Sequence, residues 1–329
     1  MNLRDTGSLN WLVTHELDRA AGQRHDAEWL AQRLRDPSSL ILPLWREQPL
    51  FAPAVPETSE GARPALLDPG AVVLALRGEH KQDTDATLTA EATVFLGQAA
   101  GRAYFALEVP ASDSAAARFA PWGEFRDLRP LIPLMGRWEA ALAAYARAML
   151  YWHRHHRFCC NCGGPTLSGQ GGFLRRCTNP DCGEQHFPRT DPAVIVRVTR
   201  DARILLGRQA RWAPHMYSVI AGFVEPGESL ETAVAREVLE ETGIELAEVH
   251  YHSSQPWPFP ASLMLGFTAT AATDAIRLGD GELEDARWFT RAEIRDGLAE
   301  GTLRLPMPVA VSFRLIREWF DAANEGTLD

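Results

Sequence analysis

Five cysteines lie within a short window of the chain, and four of them have the spacing of metal ligands. Cys159 and Cys162 form one close pair, and Cys177 and Cys182 form a second pair after an intervening loop. Four thiolates on two such turns suit tetrahedral zinc and leave no position open for a substrate, so we expect a structural zinc site. The alternative is thiol exchange, but that chemistry uses one Cys-x-x-Cys pair at a helix start. We expect the fifth thiol, Cys160, to be a bystander.

A second group of residues suited to chemistry lies in the stretch GFVEPGESLETAVAREVLEETGI, at positions 222–244. Its spacing predicts a helix over 231–243 that Ser229 caps and Gly243 ends. The periodicity also predicts an apolar stripe along this helix, formed by Val234, Ala235, Val238 and Leu239.

Three carboxylates share one arc of this predicted helix. At about 100° per residue, Glu237, Glu240 and Glu241 project to the same side. Like charges so close repel, and no lysine occurs between positions 222 and 244 to offset them. A bound cation would relieve the repulsion, and hard oxygen ligands suit Mg²⁺ or Mn²⁺, ions that bind phosphate oxygens and activate water. The alternative is a merely acidic surface helix.

The stretch SQPWPFPASLM is unusual because prolines alternate with aromatic residues. Pro256, Pro258 and Pro260 flank Trp257 and Phe259. Proline lacks an N–H donor and restricts the residue before it, so this stretch can be neither a helix nor a central strand. The pattern raises the question of why two large aromatic side chains are held on a stiff, extended loop.

Hydrophobic periodicity predicts the elements that position these groups. The N-terminal part has the pattern of an α+β domain, with a helix near 18–34 and strands at 71–76, 92–97 and 103–109. A further helix, at 138–156, leads directly into the cysteines.

The part after the cysteines alternates strands and helices. We predict a hairpin of strands at 193–199 and 203–209, two further strands at 263–271 and 286–290, and a closing helix at 308–323. These patterns divide the chain into three domains, at 1–137, 138–188 and 189–329.

Composition excludes some classes of function. The formal net charge is −10, and no Lys/Arg run stands out, so broad attraction to nucleic acid or to an anionic membrane is not the organising feature. The sequence contains no apolar run of about 18 residues and no N-terminal signal pattern. We therefore expect a cytosolic protein that makes no membrane contact.

The glutamate helix resembles a complete Nudix box. Gly222 is followed after five residues by Glu228 and after seven more by the run REVLEETGI, which begins at Arg236. The resemblance implies a C-terminal α/β/α sandwich with a mixed sheet that hydrolyses nucleoside diphosphates linked to another group. It also implies that the box glutamates and the Gly222 carbonyl hold Mg²⁺ or Mn²⁺, and that Arg236, paired with Glu228, orients them.

The proline stretch and the preceding zinc ribbon resemble the NADH pyrophosphatase branch of this superfamily. The segments HFPRTDPAVI and AGFVEPGE resemble it too, so the similarity covers the chain from about residue 138 onward, and the N-terminal half resembles the branch in length and position alone. This resemblance implies that water cleaves the central pyrophosphate of NADH to give nicotinamide mononucleotide and AMP, and it suggests a homodimer. NAD⁺, ADP-ribose and the NAD cap of an RNA 5′ end are alternative substrates, and a non-catalytic nucleotide sensor would have lost box acids.

The resemblance also implies further site residues. Phe223 and Phe187 are expected to sandwich a ring of the substrate, with Phe187 contributed across the dimer interface. An additional acid is expected beyond the helix, and Glu282 aligns best, although Glu284 and Asp285 lie close to it.

The proline stretch then gains a physical role. A stiff segment loses little entropy when a ligand binds, and the faces of Trp257 and Phe259 can pack against a base or nicotinamide ring. The alternative is that both aromatic side chains fill the core beneath. Gln255 and Ser262 are expected to contact polar groups of the ligand. Ser312 departs from the usual residue of the branch, and we include it among the substrate residues.

Overall fold

The computed structural model describes residues 10–53, 61–77, 88–89, 91–279, 281–323 and 326–328. Chain contacts divide the protein into two compact units. The N-terminal unit comprises Leu12–Arg189 together with Pro258–Ala261. The C-terminal unit comprises Thr190–Trp257 and the residues from Ser262 onward, with a short stretch that ends at Trp11.

The first half of the N-terminal unit is an α+β fold, as predicted. Its helices and strands are α1 (Ala27–Arg35), β1 (Leu40–Trp45), β2 (Gln48–Phe51), α2 (Pro69–Leu76), β3 (Thr93–Ala99), β4 (Arg102–Glu108), α3 (Asp113–Ala117), β5 (Glu124–Phe125) and α4 (Arg137–His155). The sheet order is β3-β4-β1-β2-β5, in which β1 and β4 are parallel. The helix predicted at 138–156 and the strands predicted at 92–97 and 103–109 are confirmed.

Two local predictions in this half were wrong. The apolar run at 71–76 is not a strand but part of α2, because Asp68 accepts a hydrogen bond from the Ala71 N–H and Pro69 occupies the first turn. The helix predicted from residue 18 begins only at Ala27, where the Asp26 carboxylate caps the chain.

The cysteine segment forms a small antiparallel ribbon. Its strands are β6 (Thr166–Gly169), β7 (Leu174–Cys177) and β8 (Gln185–His186), in the order β6-β7-β8. The ribbon contains two cysteine-bearing turns, one before β6 and one between β7 and β8.

The C-terminal unit is a mixed six-stranded sheet between helices. Its elements are β9 (Asp191–Arg200), β10 (Arg203–Arg208), β11 (Ile220–Phe223), α5 (Leu230–Thr242), β12 (Leu246–Trp257), β13 (Ser262–Ala271), β14 (Asp285–Phe289), α6 (Arg291–Glu300) and α7 (Val311–Asp321). The main order is β12-β13-β9-β10-β14, β11 pairs with β9, and β9 and β13 are parallel. The predicted β9–β10 hairpin and closing helix are confirmed.

Alternating residues of β9 explain the layers of this unit. Val194 and Val196 pack in one core with Val234 of α5, whereas Ile195 packs in another with Leu315 of α7. Because successive strand side chains point to opposite faces, the sheet is covered on both sides. The predicted α/β/α sandwich is confirmed.

The proline stretch forms a hairpin rather than a free loop. Its first residues end β12, an edge strand, and Trp257 pairs with Ser262 at the start of β13. Pro258–Ala261 form the connecting turn. The prediction that this stretch is neither helix nor central strand is confirmed up to Ala261, where a strand end and a turn replace the predicted extended loop. It was wrong for Ser262, Leu263 and Met264, which belong to β13 and pair with both β12 and β9.

Among the helices of the described ranges, none combines the length and the apolar character that crossing a membrane requires.

Candidate active site and cysteine cluster

Helix α5 begins and ends where its sequence predicts. The Ser229 hydroxyl accepts a hydrogen bond from the Thr232 N–H at 3.3 Å, and Gly243 ends the helix with a φ of 70°. A residue with a Cβ would be strained in this left-handed conformation, which glycine adopts at little cost.

The buried face of α5 differs from the predicted stripe. Val234 and Val238 are buried as expected, but Ala235 is exposed and Leu239 is 49% exposed. Glu241 lies on the buried side instead and is only 2% exposed. The helix is therefore turned so that a carboxylate, rather than a leucine, enters the interior.

Arg236 gathers the carboxylates on the outer side of α5. Its guanidinium donates to both oxygens of Glu228, at 2.6 and 2.9 Å, and to the Phe223 carbonyl at 2.9 Å. It also donates to Glu237 at 2.9 Å and to Glu240 at 3.0 Å. Hydrogen bonds from Arg236 are the main cause that lowers the pKa of Glu228 to about 2. These carboxylates in turn raise the pKa of Arg236.

Gly222 provides the surface against which Glu237 packs. A Cβ added to Gly222 would lie 1.9 Å from the Glu237 carboxylate carbon, so only glycine leaves the carboxylate its position. Burial, followed by the charges of Glu240 and Glu282, raises the pKa of Glu237, while Arg236 opposes this shift. The structure thus brings together Gly222, Glu237 and Glu240, and the charge of Glu282 acts on Glu237.

The three acids beyond the helix have different surroundings. Glu282 is exposed and lines an open groove with Gln209, Ala210 and Arg211. Glu284 pairs with Arg208 at 2.9 Å, and Asp285 pairs with Arg287 at 2.8 Å. Of the three acids, Glu282 is the one whose charge acts on Glu237, and its role as the additional acid stays a prediction.

The residues expected to bind rings include two exposed phenylalanines. Phe223, at the end of β11, is 59% exposed, and Phe187, after β8, is 51% exposed. Trp257, Phe259 and Ser262 are half-buried. Exposed aromatic faces are available to a ligand, whereas the half-buried side chains are compatible with either a ligand contact or a role in packing.

Gln255 has a structural role that the sequence did not indicate. Its side chain is 0% exposed, its Nε2 donates to the Val309 and Trp11 carbonyls, and its Oε1 accepts from the Val311 N–H. The amide therefore ties β12 to the start of α7 and gives no support to a ligand contact. Ser312, in the same helix, is buried as well.

The four cysteine ligands converge on one point. The sulfur atoms of Cys159, Cys162, Cys177 and Cys182 all lie within 4.8 Å of one another. Among the described residues, no other group of three or more histidine, cysteine or acidic side chains brings its potential ligand atoms so close together. The Gly164 N–H donates to Cys162 and is the main cause that lowers the pKa of this thiol to about 7. Thiolate ligands at such distances fit tetrahedral zinc.

Cys160 lies outside this convergent group. Its thiol is exposed, and its sulfur lies 3.7 Å from the His186 Nδ1. Its role as a bystander stays a prediction.

Three family models match successive parts of the chain. A NADH pyrophosphatase-like rudimentary NUDIX domain matches residues 38–152, a NADH pyrophosphatase zinc ribbon domain matches 154–187, and a NUDIX domain matches 189–306. The first match extends the resemblance into the N-terminal half. The second falls on the segment whose four thiols converge, and together they support a structural zinc site.

Curated relatives cover much of the chain. The chain is 32% identical over 352 residues to the NAD-capped RNA hydrolase NUDT12 of Macaca fascicularis. The aligned region covers 95% of this chain and 76% of the relative. The chain is 44% identical over 203 residues to the NAD-capped RNA hydrolase NudC of Mycobacterium bovis, across 59% of this chain and 64% of the relative. Among solved structures, a NUDIX hydrolase from Nitrosomonas europaea is 23% identical, covers 52% of this chain and 94% of its own, and has a TM-score of 0.42.

Proposed function

Because the chain belongs to the NADH pyrophosphatase branch of the Nudix hydrolase family, we propose that it cleaves the central pyrophosphate of NADH and of NAD⁺. The products are nicotinamide mononucleotide, reduced or oxidised, and AMP. The observation that carries this proposal is the cluster of three carboxylates around Arg236. Glu228, Glu237 and Glu240 all accept hydrogen bonds from its guanidinium.

The donor set fits a divalent cation, which Nudix hydrolases require, and we propose Mg²⁺ or Mn²⁺. The ligands would be the Gly222 carbonyl and the carboxylates of Glu237, Glu240, Glu241 and Glu282, which are hard oxygen donors. When bound, such a cation neutralises charge on the diphosphate and lowers the pKa of the attacking water.

The chain's own residues supply the remaining steps. A water attacks one phosphorus atom, the bond from that phosphorus to the bridging oxygen breaks, and the second mononucleotide leaves with that oxygen. Glu240 or Glu241 takes the proton of the water. Arg236 positions the carboxylates, because a planar guanidinium held on both oxygens of Glu228 has little freedom to turn.

Aromatic residues would recognise the rings of the dinucleotide. The exposure of Phe223 and Phe187 supports a ring sandwich, which we propose to form in a homodimer that contributes Phe187 from a second copy. Trp257 and Phe259 pack against a ring as well, and Ser262 contacts a polar group. The location in the cytosol and the domain boundaries at 137/138 and 188/189 stay predictions.

A second candidate activity is removal of an NAD cap from RNA, because both curated relatives described above are named for it. A cap presents the same pyrophosphate as free NAD⁺. The net charge of −10 argues for recognition of the cap rather than of a long RNA segment, since extended phosphate contacts require clustered basic residues.

A hydrolysis panel tests these proposals. The purified chain is incubated with Mg²⁺ or Mn²⁺ and NADH, NAD⁺, ADP-ribose or NAD-capped RNA, and the products are identified by mass. We expect two mononucleotides from NADH, no turnover by Glu241→Gln, and normal turnover by Glu231→Gln, which changes an exposed glutamate of the same helix. Near-normal turnover by Glu241→Gln would exclude Glu241 as an essential ligand or base.

A further inference from the structure

Arg147, on helix α4, contacts the proline turn Pro258–Ala261, which belongs to the same structural unit. Its Nη1 donates a hydrogen bond to the Pro258 carbonyl, and its guanidinium carbon lies 4.9 Å from the centroid of the Phe259 ring. Its Nη2 donates to the Glu47 carboxylate, and the side chain is only 13% exposed. One half-buried guanidinium therefore contacts a backbone carbonyl, an aromatic ring and a carboxylate.

The turn has few donors of its own with which to hold this position. The sequence from 256 to 261 is PWPFPA, so three of its six residues are prolines without an N–H group. Hairpin turns are ordinarily closed by hydrogen bonds from backbone N–H groups. A side-chain donor from another element can replace them, and Arg147 provides one to the Pro258 carbonyl, at the start of the turn.

The conformation of the β1–β2 turn points to a role for Glu47. Arg46 and Glu47 are the two central residues of this hairpin, and their φ angles are 50° and 68°. Such turns favour Asn-Gly because positive φ is unfavourable for residues with a Cβ. Strained backbone of this kind is typically kept where it serves a function. Here it presents the Glu47 carboxylate to α4.

Glu47 forms ion pairs with two arginines of α4, Arg147 and Arg154. Of these two, Arg147 is the one that donates a hydrogen bond to the turn. Besides Arg147, Glu47 accepts a hydrogen bond from Arg154 Nη1 at 3.2 Å, while Arg154 Nε donates to Glu108 at 2.9 Å. Burial lowers the pKa of Arg147, and the charge of Glu47 opposes this shift. The Glu47 carboxylate thus stabilises the charge of this half-buried guanidinium and fixes its direction.

We propose that Arg147 is a positioning residue for the ring-binding part of the proline turn, and that Glu47 holds Arg147 in place for this task. The inference rests on the proposed function, since it takes Phe259 of this turn to pack against a substrate ring. It also gives the β1–β2 hairpin a part in ordering this turn.

Steady-state kinetics test the proposal with Arg147→Met, Arg147→Lys and a matched control, Arg154→Met. We expect Arg147→Met to raise the KM for NADH about ten-fold, since one charge-assisted hydrogen bond and one ring contact are lost. The kcat should change less than about two-fold, because the metal-binding carboxylates are untouched. Arg147→Lys should recover part of the loss, as it restores a donor but not a planar face. Arg154→Met should keep the normal KM.

Two results would overturn the proposal. One is a normal KM for Arg147→Met. The other is that Arg154→Met raises KM and lowers the thermal midpoint as much as Arg147→Met does. This result would mean that the ion-pair network merely stabilises the unit. A double-mutant cycle of Glu47→Gln and Arg147→Met should give a combined effect on KM smaller than the product of the two, and independent effects would remove Glu47 from the proposal.

Hydrogen exchange separates this inference from the proposed function. Without substrate, we expect the Phe259 and Ala261 amides to exchange faster in Arg147→Met than in the wild type or Arg154→Met. If the wild type cleaves no dinucleotide, the proposed function fails while the exchange result still decides whether Arg147 orders the turn. Unchanged exchange in Arg147→Met would contradict the positioning role directly.

Discussion

The thiols of the cysteine cluster converge on one point, whereas three carboxylates at and before α5 converge on Arg236. The four sulfur atoms lie within 4.8 Å of one another. Glu228, Glu237 and Glu240 instead direct oxygen atoms at Arg236, at 2.6 to 3.0 Å. The first arrangement is a closed ligand set, and the second is a set of charges with a counter-ion supplied by the protein.

This difference follows from what each group has to do. A structural zinc has all four of its coordination positions filled by protein ligands, so no position is left for a substrate. A cation that takes part in hydrolysis must also bind phosphate oxygens and water, so its protein ligands are hard oxygens that leave positions open. Arg236 keeps those like charges together without closing the site.

The largest effect is expected from removing a buried thiol. Cys177→Ser should lose the zinc and lower the unfolding midpoint of the chain, because structural zinc contributes on the order of 10 kcal/mol of apparent binding energy. Elemental analysis of the purified variant and calorimetry measure these changes. Cys160→Ser, in the same window, should retain the zinc, and loss of metal from this variant would show that the fifth thiol is a ligand.

The next effect should separate the two sites. Glu237→Gln should keep the zinc and the fold but lower kcat by about 100-fold or more, since it removes a charge from the proposed cation site. Activity is measured over a range of Mg²⁺ and Mn²⁺ concentrations beside the zinc content. Loss of zinc in this variant would contradict the independence of the two groups.

A smaller effect is expected from changing the counter-ion of the carboxylates. Arg236→Lys keeps the charge but has three N–H donors for the five acceptors that Arg236 reaches. We expect kcat/KM to fall about ten-fold. An unchanged kcat/KM would mean that the planar, multiple hydrogen bonding is dispensable and that charge alone suffices.

Both groups could be predicted from the sequence because their chemistry is local. The cysteine spacing fixes two turns, and Ser229 and Gly243 fix the ends of α5, so neighbouring residues carry most of the information. The helix at 71–76 could also have been predicted from neighbouring residues, since Asp68 and Pro69 form a helix-start signal that outweighs a short apolar run. A run of six apolar residues does not by itself distinguish a strand from a buried helix.

Other features depended on distant parts of the chain and could not be predicted. Gln255 is held by backbone groups of Val309 and Val311, more than fifty residues away. The burial of Glu241 in place of Leu239 depends on how α5 is turned against the sheet, which periodicity fixes only to within one residue. Arg147 was missed because nothing in the pattern of α4 indicates a partner at Pro258.

The smallest effect is expected in the pH dependence of the free energy of unfolding, where the carboxylates and the thiols again differ. Hydrogen bonds from Arg236 depress the pKa of Glu228 from 4.5 to about 2 in the folded chain. A depressed folded pKa gives stability that is complete above the unfolded value and is lost as pH falls through the folded value. The difference in free energy of unfolding between the wild type and Glu228→Gln should therefore be constant above about pH 4.5 and shrink toward about pH 2.

Urea unfolding at several pH values from about 6 to about 2 measures this difference. Zinc should leave at a higher pH than this window, because thiolates take up protons far more readily than Glu228 does, and a zinc-sensitive dye would follow its release. Because both chains lose zinc in the same way, their difference isolates the Glu228–Arg236 pair. A difference that stays constant down to about pH 2 would mean that Arg236 does not hold Glu228 ionised in the folded chain.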